Sequence, residues 1–445
     1  MRRSSRSATV QPVSSELPAD VAAATALSSY EDARLSDEVG RLLEEIGALD
    51  AVTAARSVVL KPNWVNHANP LGHDPSSLVT HTRVIEAIAA HVARRLPAGS
   101  RVLIADAPVQ ACNFETLLRV NGVHDALARL RAAHPAVSFE VADWRLVRAS
   151  SRLSWKATER VDSWDPNEHQ LVDVGARSFL EPVSDRAERF RVTCYAPSTM
   201  HTRHRPGVHQ YLVARAALEA DVVVNVPKLK MHIKAGVTCA LKNLVGINGH
   251  KEFLPHHVTG TPENGGDSHR PGHAAREQFE RYYDFHFEHL ARLPRPLISV
   301  LSRALNTADR LTATTDTSNF GSWPGNDTVW RMTLDLNHLL YAWAPQRPRS
   351  VFTLVDAVTV GVGNGPLRPS PAHLGVLLAG RNPATIDAIG ATLLGFEPMA
   401  LPTIRNALTN PASFFAAAPQ RAPATPRVTA QRPLNWERVA APTDR

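Results

Sequence analysis

The chain has 445 residues, 44% of them hydrophobic and 20% charged, and its 49 Lys and Arg against 42 Asp and Glu leave a net charge of +7. That balance suits one elaborated globular domain or two and excludes a disordered or fibrous chain. A modest, diffuse positive excess suits an acidic substrate; with no nucleic-acid-binding motif beside it, it argues against DNA or RNA as a partner.

In chain order, residues 1–30 are Ser/Ala-rich and aperiodic and are expected to form a disordered tail. No apolar stretch follows Arg2-Arg3, and no run reaches the ~20 apolar residues of a membrane span. The chain therefore reads as cytoplasmic, without membrane contact. Periodicity predicts a helix over 36–49, a buried strand at 58–60 ended by Pro62, and a helix over 84–96 capped by Thr80 or Thr82. A strand at 102–105 leads into Asp106, followed by a helix over 114–132 and a strand at 137–141. This alternation predicts an α/β fold: a mostly parallel central sheet with flanking helices, residues 31–150 forming the first part of the core. Residues 151–205 read as a mixed α+β insertion with antiparallel strands. The second part of the core, 206–410, starts with a helix at 210–218 and the β-branched strand 222–224. It carries a helical insertion at 272–345, with helices at 274–292 and 327–343. Strands at 351–355 and 374–378 follow. Asn382-Pro383 then opens a helix, a capping side chain before Pro at the first helical position, which ends at Gly395. Residues 411–445 form a Pro/Ala-rich tail.

The most informative stretch runs from Asn225 to His257. Pro227 ends the strand 222–224, and in an extended continuation Lys228, Lys230 and His232 share one side. A helix beginning by Lys234 would align Lys234, Thr238 and Lys242. Cations crowded beyond the carboxyl end of a sheet strand imply an anion, because that edge of an open α/β sheet is where ligands bind. Lys228, Lys230, His232 and Lys242 are therefore the candidate catalytic residues. Lys61, Asn63, Thr238 and Asn243 are candidate substrate contacts. Gly363 and Gly365, in a glycine-rich loop after the strand ending near Asp356, are further candidates for backbone contacts to an anion.

Nine of the 20 histidines lie between His201 and His273: His201, His204, His209, His232, His250, His256, His257, His269 and His273. Their spacing matches no standard metal motif, and singly they read as surface residues. As a cluster, His250, His256 and His257 with Asp356 and Asp387 are the candidate ligands of a divalent transition metal. Cys112, Cys194 and Cys239 form no CxxC pair, which argues against an iron–sulfur cluster. Cys239 among lysines is a candidate nucleophile, or equally the packed face of a helix.

These blocks together resemble the domain-of-unknown-function family 362. They are Lys61-Pro62-Asn63, Asn225 to His232, Thr238 to Gly246, Trp330-Arg331 with Asp335-Leu336-Asn337, Asp356 with Gly363 to Pro366, and Ala379-Gly380 to Asp387. The resemblance spans roughly residues 56–405 and implies an α/β fold. Many relatives carry ferredoxin-like cysteine modules that bind iron–sulfur clusters, and this chain has no such cysteines. The expected function is an enzyme acting on a small anionic carboxylate or phosphorylated metabolite, by lyase, isomerase or epimerase chemistry. The alternatives are a His-ligated metal-dependent oxygenase or hydrolase, and a non-catalytic accessory protein of a biosynthetic pathway.

Overall fold

The computed structural model describes residues 21–24, 27–149, 158–160, 165–192, 197–272, 320–343 and 349–416, together with Glu277, Glu280, Arg281, Asp284 and Trp436. The expected helix at 274–292, apart from four of its residues, lies outside this set, as do Cys194, His273 and most of both expected tails.

Nine strands form the central sheet: β1 (Val21–Ala24), β2 (Ser57–Pro62), β3 (Arg101–Asp106), β4 (Ser138–Asp143), β5 (Val222–Val226), β6 (Lys228–His232), β7 (Gly236–Thr238), β8 (Ser350–Asn364) and β9 (Arg368–Gly380). The main order is β1-β9-β8-β5-β2-β3-β4, with β6 pairing to β8 and β7. The run β8-β5-β2-β3-β4 is parallel, while β9 and β1 are added antiparallel at one edge. Strand β8 is long enough to pair with β5 through Ser350 to Thr353 and then with β6 from Asp356 onward. Pro227, which has no N–H, is the break between those two partners.

The strands are apolar on both faces because both faces are covered. Val58, Leu60, Val102, Ile104 and Val224 pack against α1 (Leu35–Glu45), α2 (Thr82–Arg95), α3 (Phe114–Val120) and α4 (Val123–Ala133). The alternate residues Val59, Leu103 and Val223 face a second layer containing Met332 and Leu336 of α6 (Val329–His338). Each such side chain contributes about 1.5–3 kcal/mol when fully buried. Helix α5 (Ala240–Asn243) follows β7, and α7 (Pro383–Leu393) follows β9, with Asn382 Oδ1 accepting from Ala384 N and Thr385 N as expected of its cap.

Several expectations are corrected. The helix placed at 210–218 is a strand, Val208–Ala214, followed by one helical turn, Arg215–Glu219; the strand pairs antiparallel with His169–Asp173. Its β-branched and aromatic residues, Tyr211 and Val213, are buried in the sheet-side layer. The helix expected over 114–132 breaks between α3 and α4 at Gly122, whose φ is 67°. The cap of α2 is the His81 side chain, which accepts from Arg83 N, and neither threonine serves. The strands expected at 351–355 and 374–378 are both present, and each extends further than expected, so that together they form one long hairpin, β8–β9. Val21–Ala24 pairs with β9, and Tyr30 is buried, both inside the segment expected to be a tail.

Candidate functional site

The chain passes from β2 to β3 to β4 in one direction across the sheet, and from β5 to β8 in the other. The order therefore reverses between β2 and β5, whose carboxyl ends pair Lys61 with Asn225. Loops leaving neighbouring strands in opposite directions open a crevice at such a point. The structure brings Lys61, Asn63 and Asn243 together there.

Lys61 is buried, with its Nζ 2.6 Å from Asp106 Oδ1 and donating to Pro62 O at 2.8 Å and Asn243 Oδ1 at 3.2 Å. An ammonium has three donors, so none is left for a substrate. Asp106 also accepts from Trp64 N at 2.6 Å and Ala107 N at 2.8 Å. Asn243 ties the site together: its Nδ2 donates to Lys61 O and Asn225 Oδ1, and its Oδ1 accepts from Asn63 Nδ2 at 2.8 Å. Asn225 Nδ2 donates to Ala240 O, anchoring α5. A Cβ on Gly246 would collide with Asp106 Oδ1 and Lys61 Nζ, so the close approach requires glycine here. Asn63 Oδ1 is buried and has no hydrogen-bond partner among the described residues.

On β6, Lys228, Lys230 and His232 do alternate with buried Leu229 and Met231. Lys228 is closed off in the same manner as Lys61. Its Nζ lies 2.6 Å from Asp356 Oδ2 and donates to Tyr30 OH at 2.7 Å and Thr359 O at 2.9 Å. Tyr30 OH donates to Asp356 Oδ1 at 2.8 Å, and its ring stacks on His81 at 3.7 Å. The candidate catalytic role of Lys228 therefore has no free N–H to act through.

Lys230 differs. Its Nζ donates to Leu78 O at 2.5 Å and has no carboxylate partner among the described residues. Burial pulls its pKa well below the usual lysine range, with Lys228 adding repulsion. Opposite it in the β6–β7 pair stands Thr238, whose buried Oγ1 has no partner among the described residues. The helix expected from Lys234 is absent because Gly236, with a φ of 81°, turns the chain back as β7.

His232 Nδ1 accepts from Lys234 N at 3.0 Å and Ala235 N at 3.3 Å. These two donors assign the proton of a neutral ring to Nε2. Burial, then Lys242, Lys230 and Lys234, push its pKa well below the usual histidine value. His256 has the opposite tautomer, because Nδ1 donates to Leu254 O at 2.7 Å and leaves Nε2 as an acceptor. Burial dominates its low pKa too, followed by repulsion from Lys242 and Lys234. Lys242, on α5, is only 8% exposed, and its side-chain amine makes no hydrogen bond or ion pair among the described residues. Burial, with Lys251 and Lys234 adding repulsion, brings its pKa down to about 7. Thus Lys242 acts on both imidazoles and His232 acts on His256, which brings one amine, one N–H donor and one imidazole acceptor into one neighbourhood, and the charges just named for the three are all cationic or imidazole.

The five candidate metal ligands are not gathered. Asp356 is paired to Lys228, while Asp387 accepts from Leu241 N at 3.3 Å. His257 Nε2 lies 2.6 Å from Glu280 Oε1, and the His250 ring packs on Phe253. Among the described residues no group of three or more His, Cys, Asp or Glu is arranged to hold a metal ion. Gly363 N donates to Met231 Sδ and Gly365 N to Gly363 O, so these glycines grip β6 rather than forming an open anion cradle. A Cβ on Gly361 would press on Lys230 Cβ and Ser77 O. Cys239 is buried beside Asp387, and burial raises its thiol pKa, the opposite of what a nucleophile needs. His204 and His209 sit in a separate network with Phe253 O and Glu181.

The family described as "Domain of unknown function (DUF362)" matches residues 58–166 and 171–392. The chain belongs to this family. The match takes in Lys61, the whole of β5 to α5, Asp356 and Asp387. No curated protein matches. Among solved structures, a structural-genomics protein from Thermotoga maritima aligns at 12% identity and a TM-score of 0.38, over 81% of this chain and 58% of that one. The lactate racemase apoprotein from Thermoanaerobacterium thermosaccharolyticum aligns at 12% identity and a TM-score of 0.33, over 81% of this chain and 55% of that one. The chain thus spans little more than half the length of either.

Sequence reading missed Asp106 and Tyr30 as counter-groups, Asn225 and Gly246 as scaffold, and Lys251 as a further cation of the site; Lys234 it placed beside Lys242, but on a helix. One compositional signal would have found the lysines. The 49 basic residues comprise 42 arginines and seven lysines, and six of the seven are Lys61, Lys228, Lys230, Lys234, Lys242 and Lys251. The seventh, Lys156, lies outside the described residues. A chain that uses arginine almost everywhere else and lysine here selects the compact, pKa-adjustable ammonium for this place.

Proposed function

We propose that the chain is an enzyme acting on a small anionic metabolite, a carboxylate or phosphorylated compound, by proton transfer of the lyase, isomerase or epimerase type. Lys230 and Lys242 hold the anion, with the Thr238 Oγ1 hydroxyl as a neutral donor to it and Asn63 Oδ1 as an acceptor for a hydroxyl of the substrate. His256 Nε2 takes a proton from the carbon or oxygen beside the anionic group and returns it. His232 Nε2–H hydrogen-bonds the oxygen on which negative charge develops, a task that suits a neutral imidazole. Lys61–Asp106 and Lys228–Asp356 are scaffolding pairs that fix the two loops.

The observation that carries this reading is the uncompensated cluster. Buried charges are ordinarily paired. Lys61 and Lys228 obey that rule at 2.6 Å, while Lys230 and Lys242 have no carboxylate among the described residues. An anionic ligand supplies the missing charge. The test is calorimetric titration with oxalate and with inorganic phosphate. At least one should bind the parent, and Lys230→Met and Lys242→Met should each weaken it by about tenfold or more, the scale of one charge-assisted hydrogen bond. Folded variants that bind as tightly as the parent would overturn the reading.

A further inference from the structure

We propose that Lys242 is a nucleophile that forms an imine with the carbonyl carbon of a 2-oxo acid whose carboxylate lies against Lys230. The inference deepens the anion-binding reading above and rests on it. Of the six described lysines, five have a fixed partner. Lys61 and Lys228 are paired to aspartates, and Lys230, Lys234 and Lys251 donate to Leu78 O, Phe320 O and Ala107 O. Lys242 alone has none among the described residues, although it is buried on a short helix held by the Asn225 and Asn243 amides.

A lysine whose only task is to hold an anion works best fully charged and well hydrogen-bonded. Burial lowers the pKa of Lys230 as well, but Lys230 is fixed on Leu78 O, whereas the Lys242 amine has no protein acceptor among the described residues; with Lys234 and Lys251 adding repulsion, it is the neutral amine left free to react. A desolvated lysine beside other cations is the usual way of making a nucleophilic amine at neutral pH. The charges that act on it are Lys251 and Lys234, and Lys242 in turn acts on both His232 and His256, which places the two imidazoles in its neighbourhood.

The two histidines complete the chemistry. Lys242 Nζ adds to the ketone carbon, the N–C bond forms, and the C=O π pair moves onto oxygen, where His232 Nε2–H hydrogen-bonds it. His256 Nε2 then carries the two amine protons in turn from nitrogen to that oxygen. The oxygen leaves as water while the C=N bond closes. One amine and one ketone give one imine and one water, with no oxidant or reductant.

The experiment uses the full chain at pH 7 with pyruvate and sodium cyanoborohydride, followed by intact mass and peptide mapping. The expected result is a single reduced pyruvate adduct on Lys242, formed at least tenfold faster than any on Lys156 or the chain's α-amine, and suppressed by oxalate. Lys242→Arg, whose guanidinium forms no imine under these conditions, should abolish the adduct. Oxalate bound to the parent with no adduct at Lys242 would overturn the imine and leave the anion site standing. Loss of both would overturn the two together.

Discussion

Replacing Lys242 with methionine should stabilise the protein, and the gain should depend on pH. The lysine has an ordinary pKa of 10.5 and one of about 7 when folded. Between those values the unfolded chain binds a proton that the folded chain does not, so the parent's stability rises with pH across this window. Below pH 7 both states are charged and the full penalty of burying the ammonium is present; above 10.5 both are neutral and it is gone. A difference of that size corresponds to about 5 kcal/mol at the most, near 1.4 kcal/mol per unit. Methionine has similar length, no charge and an adaptable thioether. Urea unfolding of parent and Lys242→Met at pH 6.5, 8 and 9.5 should show the variant more stable by several kcal/mol at pH 6.5, with the gap closing toward pH 9.5. A variant less stable than the parent at pH 6.5, or a gap that ignores pH, would refute the reasoning. A residue that costs stability where it stands is retained for function.

Three further outcomes follow from the same geometry. Asp356→Asn leaves Lys228 buried without its counter-charge and should cost about 3–5 kcal/mol by denaturant titration, most of it recovered in the double variant Lys228→Met/Asp356→Leu. Gly246→Ala places a methyl against both members of the Lys61–Asp106 pair; folded protein should lose anion binding by at least tenfold in the calorimeter, and unchanged binding would contradict the scaffold role. Burial raises the Asp335 carboxyl from its ordinary 3.8 to about 7, against hydrogen bonds from Ser178, Tyr211 and Phe179 N. Its folded pKa exceeds the unfolded one, so stability falls as pH rises through that window; Asp335→Asn should flatten the slope of unfolding free energy between pH 4 and 7.

The parallel sheet was legible because its strands carry a local signal: Val58 to Leu60, Val102 to Ile104 and Val222 to Val224 are continuous apolar runs, as strands buried on both faces must be. Lys228, Lys230 and His232 on one strand were readable from the period of two alone. Their differing fates were not, because Asp356, Tyr30 and Leu78 reach them from 128, 198 and 152 residues away, and no local pattern encodes such a pairing. The helix expected at 210–218 failed for the opposite reason. Its spacing suits a helix, but pairing with His169–Asp173 decides the matter, a tertiary preference overriding a weak local one. The glycines at 361–365 looked like a ligand loop because glycine serves any close approach, and here the approaching group is the β6 backbone rather than an anion.

The most direct test of the central claim is a crystal structure of the protein soaked with oxalate. The account predicts density for the anion within hydrogen-bonding distance of Lys242 Nζ and His232 Nε2, with Lys230 beside it and the Lys61–Asp106 and Lys228–Asp356 pairs unchanged. Oxalate bound elsewhere while this cluster stays empty, or a structure in which Lys242 is paired to a carboxylate of the chain, would contradict it.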